Sequence, residues 1–265
     1  MHLVILYSSK NIASKNIAEH LIGLGFEEKG EGEWRYKTIR LVDTKVDSIL
    51  DVPTDFEEDY MIVLSTHKSE MSLPTLTVHI TGNWGSADFG GEPRTLNMAY
   101  AGKMLQILKL LKKYGAELEK KGWHICYEVD HHGPTCKKPI MFVEIGSTEK
   151  EWKNEEAGRA VAEAVFDAIN KEDKDEKQGF CYFGVGGGHY APKFTKLALE
   201  KNMAFGHILP KYQAGSLAED TFKQAVEKNV EKLKAIVIDW KGLNKEQRND
   251  VLALAEKFGV LVIRE

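Results

Sequence analysis

Cysteine is scarce: only Cys126, Cys136 and Cys181 occur in 265 residues. They are far apart and odd in number, and no Cys-x-x-Cys spacing exists. That argues against a disulfide framework and against a thiolate zinc site. Cys126 and Cys181 fall inside apolar runs and read as small buried hydrophobes, so the chain is expected in a reducing, cytoplasmic setting. Long apolar runs are also lacking. None approaches the roughly 18 residues a membrane helix needs, and no membrane association is expected. The opening, MHLVILYSSKN, has neither a basic n-region nor a small-residue cleavage site and reads as a first strand. No sign of charge dominates. A net charge of −4 argues against a general nucleic-acid binder, DNA included, so any RNA contact must use a local basic patch. Several catalytic signatures are absent: no Gly-x-Ser-x-Gly elbow, no His-Glu-x-x-His, no P-loop and no in-frame Gly-x-Gly-x-x-Gly.

What is present reads as an α/β protein. Short apolar or alternating runs predict strands over 2–8, 35–42, 60–66, 123–129, 139–146, 179–185, 204–209, 235–240 and 260–264. Apolar residues recurring at three and four predict helices over 12–24, 95–114, 151–170, 192–202, 216–233 and 244–258. Asn244 with Gln247 forms a capping-box pattern. The alternation favours a mainly parallel central sheet with helices on both faces. Residues 1–265 are expected to form a single monomeric domain, with an alternative subdomain cut near residue 190 where no linker forces one. Segment 67–94 has little periodicity and reads as a long functional loop. KEDKDEKQG at 171–179 reads as a solvated connector.

Histidines fall where the predicted strands end: His67 after MIVLST, His131 and His132 after WHICYEVD, and His189 after GFCYFGVGGG. In an open parallel sheet those ends share the edge where ligands bind, and imidazole serves both as a metal ligand and as an acid–base group. In EVDHHGPT, Asp130 is placed to ligate a metal or orient a ring, and His131 and His132 to ligate. His189 completes the ligand set. In GVGGGHYAPK, the N–H groups of Gly186, Gly187 and Gly188 precede a helix opening at Pro192. They suit an oxyanion or substrate carbonyl, with Tyr190 and Lys193 beside the substrate. In STHKSE, His67 is a ligand or proton shuttle, Lys68 an anion contact and Ser69 a donor. Glu144, inside the apolar PIMFVEIGS, must be paired, coordinated or protonated, and is a candidate base alongside His132. The plain alternatives are polar turns and a salt-bridged glutamate. His2, His20, His79 and His124 lack a supporting cluster and read as structural. His207 reads equally as core or site. Basic residues collect on 95–114 and just beyond, where a solvated face balanced by acids is the simpler reading.

Taken together, HLVILYSSKNIAS, STHKSE, DHHGPT, EIGST and GVGGGHYAPK resemble the archaeal and plant type of D-aminoacyl-tRNA deacylase, in the family's order and over nearly the whole chain. DHHGPT paired with GGGHYAPK is the distinctive part. The resemblance implies an α/β fold related to peptidyl-tRNA hydrolases and phosphorylase-like hydrolases. It also implies hydrolysis of the ester joining a D-amino acid to the 3′-terminal adenosine of tRNA, and dependence on Zn2+. Lysines at the rim would hold acceptor-end phosphates. Other readings stay open at this point: a metal-free mechanism using histidine or the RNA 2′-OH, a zinc-dependent amidohydrolase or peptidase on a small molecule, and a non-catalytic tRNA-end binder.

Overall fold

The computed structural model describes residues 2–171 and 179–265, so most of the expected connector at 171–179 lies outside the described residues. In chain order the elements are β1 (Leu3–Tyr7), α1 (Ile12–Ile22), β2 (Glu27–Gly30), β3 (Glu33–Tyr36), β4 (Ile39–Asp43), β5 (Tyr60–Lys68), β6 (Thr75–Ile80), β7 (Gly82–Asn83), β8 (Thr95–Leu96), α2 (Ala101–Tyr114), α3 (Ala116–Lys120), β9 (His124–Tyr127) and β10 (Ile140–Ser147). They continue with α4 (Glu149–Trp152), α5 (Glu155–Asn170), β11 (Phe180–Val185), α6 (Pro192–Lys201), β12 (Ala204–Leu209), α7 (Glu219–Glu227), β13 (Lys232–Ile238), α8 (Lys245–Lys257) and β14 (Val262–Arg264). The α/β class is as expected.

The described chain divides into two compact units, 1–78 with 106–126 and 138–172, and 79–105 with 127–137 and 173–265. The first unit is built on an eight-stranded sheet of order β2-β3-β4-β1-β5-β10-β6-β9. Its centre is parallel, with β1 beside β4 and β5, and β5 beside β10. The edge β2-β3-β4 is antiparallel. β1 and β10 are buried along their whole length, the signature of strands covered on both faces. α1 starts where Asn11 accepts from the Ser14 N–H. It packs on α5, where Gly158 is required because a Cβ there would stand 2.0 Å from Asn16 Oδ1.

The second unit holds a separate parallel sheet of order β12-β11-β13-β14 and a two-stranded β7-β8 ribbon. Its core gathers Trp84, Leu96, Phe183, Val185, Phe222, Ile236 and Val251, with Trp84 stacked on Phe183 at 5.4 Å. α8 carries the expected capping box, Asn244 accepting from the Gln247 N–H.

Four expectations change. Segment 67–94 is not a structureless loop: β6 runs through it fully buried, an apolar alternation hidden among Thr, Ser and Gly. The helix expected over 95–114 begins only at Ala101, and the helix expected over 216–233 stops at Glu227. One tertiary contact accounts for both. Ala99 donates to the Lys228 carbonyl at 2.9 Å and accepts from the Val230 N–H at 2.8 Å, so both backbones pair with each other instead of continuing their helices. Finally, the strands delivering His67 and His189, expected in one sheet, belong to different sheets.

Candidate functional site

In the first unit His67 lies inside β5 opposite Gly146 of β10. A Cβ at Gly146 would stand 2.9 Å from the His67 ring, so glycine makes room for it. Trp152 Nε1 donates to the His67 carbonyl at 3.0 Å. His67 Nδ1 lies 3.7 Å from Glu144 Oε2, and both side chains are buried. The buried glutamate therefore has the partner its setting demands. Lys68 is exposed, and Ser69 Oγ accepts from the Met71 N–H at 3.3 Å, closing the turn that follows.

In the second unit four imidazoles meet. The His131 ring stacks on His79 at 4.4 Å and contacts His132 at 4.5 Å and His189 at 4.6 Å; His79 meets His132 edge-on at 5.0 Å. Local backbone explains how adjacent residues share one site. An extended chain would send His131 and His132 to opposite faces. Instead, His131 pairs with Thr81 in an isolated bridge, and His132 turns into the left-handed region at φ 48°. That conformation costs about 1–2 kcal/mol in a residue with a Cβ.

The ring nitrogens are sorted by their neighbours. His131 Nδ1 faces the Val129 carbonyl at 2.8 Å, His79 Nδ1 the Ile80 carbonyl at 3.0 Å, and His132 Nδ1 the Gly133 carbonyl. A carbonyl only accepts, so each Nδ1 carries the proton and each Nε2 presents a lone pair. Histidine ligands of metal ions are oriented in this way. One donor atom from each of His79, His131 and His132 lies within 4.8 Å of the others. Glu128 stands against the cluster with a fully buried side chain. Its Oε2 accepts from His189 Nε2 at 2.9 Å and lies 3.4 Å from His131 Nε2. The donor set of neutral imidazoles and a buried carboxylate fits a divalent cation, and the cluster could bind a metal.

Burial, and then the His79 ring, push the His132 pKa down to about 3; His131 is driven well below its ordinary value for the same reasons in the same order. In metal-free protein the unfolded chain therefore takes up the proton first. Stability should fall as pH drops below about 6.5, with the loss complete near pH 3. His132 alone is expected to account for roughly 2 kcal/mol between pH 7 and pH 5. Urea unfolding of the metal-free parent and of His132→Asn, which tolerates positive φ, checks this. Equal pH sensitivity in the two would rule it out.

Asp130 does not join the cluster. Its Oδ2 shares a hydrogen bond with His207 Nδ1 at 2.7 Å and its Oδ1 accepts from the Ile208 N–H at 2.9 Å. Both carboxylate oxygens are thus engaged in fixing β12, and burial raises the Asp130 pKa against the opposing pull of His207. His207 itself is a core residue, donating its other nitrogen to the Lys228 carbonyl.

The glycine loop is tighter than expected. The Gly186 N–H already donates to the Leu209 carbonyl at 2.8 Å, so it is not available to a substrate oxygen. Gly186 and Gly187 have φ of 116° and 76°, and a Cβ at Gly186 would stand 2.9 Å from Asp239 Cβ. Gly188 is exposed and a Cβ there would meet nothing. Tyr190 packs edge-on against His189 at 5.3 Å, and Lys193 pairs with Asp239 at 3.0 Å.

Two members of the cluster were not anticipated. His79 sat in a segment read as loop, but the alternation of Leu76, Val78 and Ile80 with Thr75, Thr77 and His79 was a strand signal. Glu128 opened the EVDHHGPT stretch and was passed over for Asp130, because residues two apart on a strand look equivalent until the chain bends.

A sequence profile described as D-aminoacyl-tRNA deacylase matches residues 54–263. The chain is 37% identical over 277 residues to a Pyrococcus furiosus protein named D-aminoacyl-tRNA deacylase, covering 99% of each. It is 38% identical over 267 residues to a Methanocaldococcus jannaschii protein of the same name, covering 98% of each. A crystal structure described as a conserved protein of unknown function superposes with a TM-score of 0.87 at 33% identity, over 100% of this chain and 95% of that one.

Proposed function

The chain belongs to the D-aminoacyl-tRNA deacylase family, and on that premise we propose how its second unit hydrolyses the ester bond of D-aminoacyl-tRNA, releasing free D-amino acid and tRNA. The observation that carries the proposal is Glu128 Oε2, held 2.9 Å from His189 Nε2 and 3.4 Å from His131 Nε2 beside the imidazole cluster. His79, His131 and His132 would hold the metal ion, taken here as Zn2+, through their Nε2 atoms. Bound there, zinc would supply Lewis acidity and bring the pKa of a bound water to about 7.

The remaining steps belong to side chains and backbone. Glu128 Oε2 takes the proton of the attacking water as the new C–O bond forms at the ester carbonyl. The Glu128–His189 pair then passes a proton to the ribose oxygen as the ester C–O bond breaks, so atoms and charge balance. The N–H groups of Gly187 and Gly188 stand in the loop leading to His189 and are the backbone donors assigned to the developing oxyanion. Asp130 acts through His207 and the Ile208 N–H, holding the strand beside the site. The His67–Glu144 pair of the first unit is assigned no step. Among the described residues no helix is long and apolar enough to cross a membrane. We assign the reaction to the cytoplasm because aminoacyl-tRNA is used there.

Matched D- and L-aminoacyl-tRNA, assayed with and without a chelator, tests the reading. D-esters are expected to be cleaved at least about 100-fold faster than L-esters, a gap built mainly by exclusion of the wrong side-chain direction. Complete metal removal is expected to lower the D rate by about 10³-fold or more. Equal D and L rates would refute the editing function. Full activity after metal removal would refute the metal assignment and leave the histidine–glutamate chemistry standing alone.

A further inference from the structure

The lysines collected on α2 and α3 are not a free cationic face. Lys112 pairs with Glu119, Lys113 with Asp167, Lys120 with Glu117 and Lys121 with Glu156. The second unit carries a different arrangement. At the carboxyl end of β13, the indole of Trp240 lies beneath two guanidinium groups. Arg264 from β14 stands 4.3 Å and Arg248 from α8 stands 4.9 Å from the ring centroid. Arg248 Nη1 donates to the Trp240 carbonyl at 2.9 Å, which fixes its position.

Neighbouring carboxylates are committed elsewhere: Asp239 to Lys193 at 3.0 Å and Glu265 to Lys201 at 2.7 Å. Among the described residues neither arginine has an ion-pair partner. Lys211, Lys241 and Lys245 are exposed around them, against Glu246 and Asp250 on α8. Each guanidinium keeps planar donor forks without a carboxylate partner, and a phosphate matches such a fork in charge and geometry.

The patch is physically continuous with the glycine loop. β11 and β13 are neighbours, with Val185 opposite Ile238. The Asp239 N–H donates to the Val185 carbonyl at 2.9 Å, and the Lys211 N–H to the Gly187 carbonyl at 3.0 Å. Gln247 Nε2 of α8 donates to the Lys211 carbonyl at 3.1 Å. Trp240 therefore follows the strand next to β11, whose end leads into the loop that delivers His189, and Arg264 lies one strand further out on β14.

We propose that Trp240, Arg248 and Arg264 bind the phosphodiester backbone of the unpaired 3′ strand of tRNA as it enters the candidate centre. The inference rests on the deacylase reading for its substrate, but its test does not depend on turnover. The Arg248→Gln/Arg264→Gln double variant is titrated with uncharged, fluorescently labelled tRNA across a salt series. Affinity near 0.1 M salt should fall about tenfold, and the slope of log K against log salt should shrink by about 1. A tRNA lacking its unpaired 3′ nucleotides should bind parent and variant alike. In deacylation the variant should show KM raised about tenfold with kcat unchanged, and full activity on a D-aminoacyl-adenosine ester that lacks these phosphates. Unchanged affinity and salt slope would overturn the proposal, as would equal loss on both substrates or a difference that persists on the truncated tRNA. A parent chain that binds tRNA through these arginines yet leaves D-esters intact would overturn the deacylase reading and keep the contact.

Discussion

Glu128→Gln is expected to lower kcat/KM on D-aminoacyl-tRNA by about 10²- to 10⁴-fold, the range lost when a general acid–base group is removed. The substitution keeps the volume and removes the charge. In the parent, one carboxylate oxygen receives the His189 Nε2 proton at 2.9 Å and stands 3.4 Å from His131 Nε2. An amide there no longer takes a proton from water, and its NH2 group competes for the same acceptors. Stability should not follow activity, because the amide oxygen keeps the volume of the carboxylate and can still accept from His189 Nε2. Single-turnover deacylation and urea unfolding, run side by side, separate the two effects. A variant within tenfold of the parent would remove Glu128 from the mechanism. Parallel loss of stability and activity would make it a structural residue.

Gly133→Ala should be the most damaging single methyl in the second unit. A Cβ at Gly133 would stand 2.4 Å from Gly91 N, 2.6 Å from Gly90 C and 2.8 Å from Gly91 Cα. All three are backbone atoms, so no rotamer change relieves the clash. The opposing loop is braced as well. Asn83 Nδ2 donates to the Gly90 carbonyl at 2.9 Å and the Glu92 carbonyl at 3.1 Å, and the Gly133 N–H donates to the Phe89 carbonyl at 2.9 Å. Accommodation must displace the turn that carries His131 and His132. A cost of about 3 kcal/mol is expected, at the upper end for overpacking, with activity lost even at temperatures where the variant stays folded. Gly188→Ala is the matched control: nothing meets its Cβ, so its midpoint should move by less than about 1 kcal/mol equivalent. Comparable urea midpoints for the two variants would refute the packing argument.

Much of this protein was readable from composition and pattern. Apolar runs such as LVILY and FCYFGV are long enough only for strands, and the even burial of LVILY follows from a sheet covered on both sides. Helices α1, α5, α6 and α8 carry their signals locally, in Asn11, Asn154, Pro192 and Asn244. The motifs around His131 and His189 pointed to hydrolytic chemistry and, by resemblance, to the family. Those features depend on a few neighbouring residues, so a linear reading reaches them.

Other features depend on contacts between distant segments. Whether α2 begins at Thr95 or Ala101 was decided by the pairing of Ala99 with Lys228 and Val230, and no local propensity encodes that. The choice between Asp130 and Glu128 was decided when His207 and Ile208 claimed both oxygens of Asp130. His79 became part of the cluster because Thr81 pairs with His131 in space. Even the cationic surface moved, since the lysines of α2 and α3 met acids while Arg248 and Arg264 met an indole. Sequence by itself determined which chemistry was present and which strands and helices could carry it. Tertiary structure alone decided which imidazoles and which carboxylate share one site, because burial and hydrogen-bond partners are set by residues far apart in the chain.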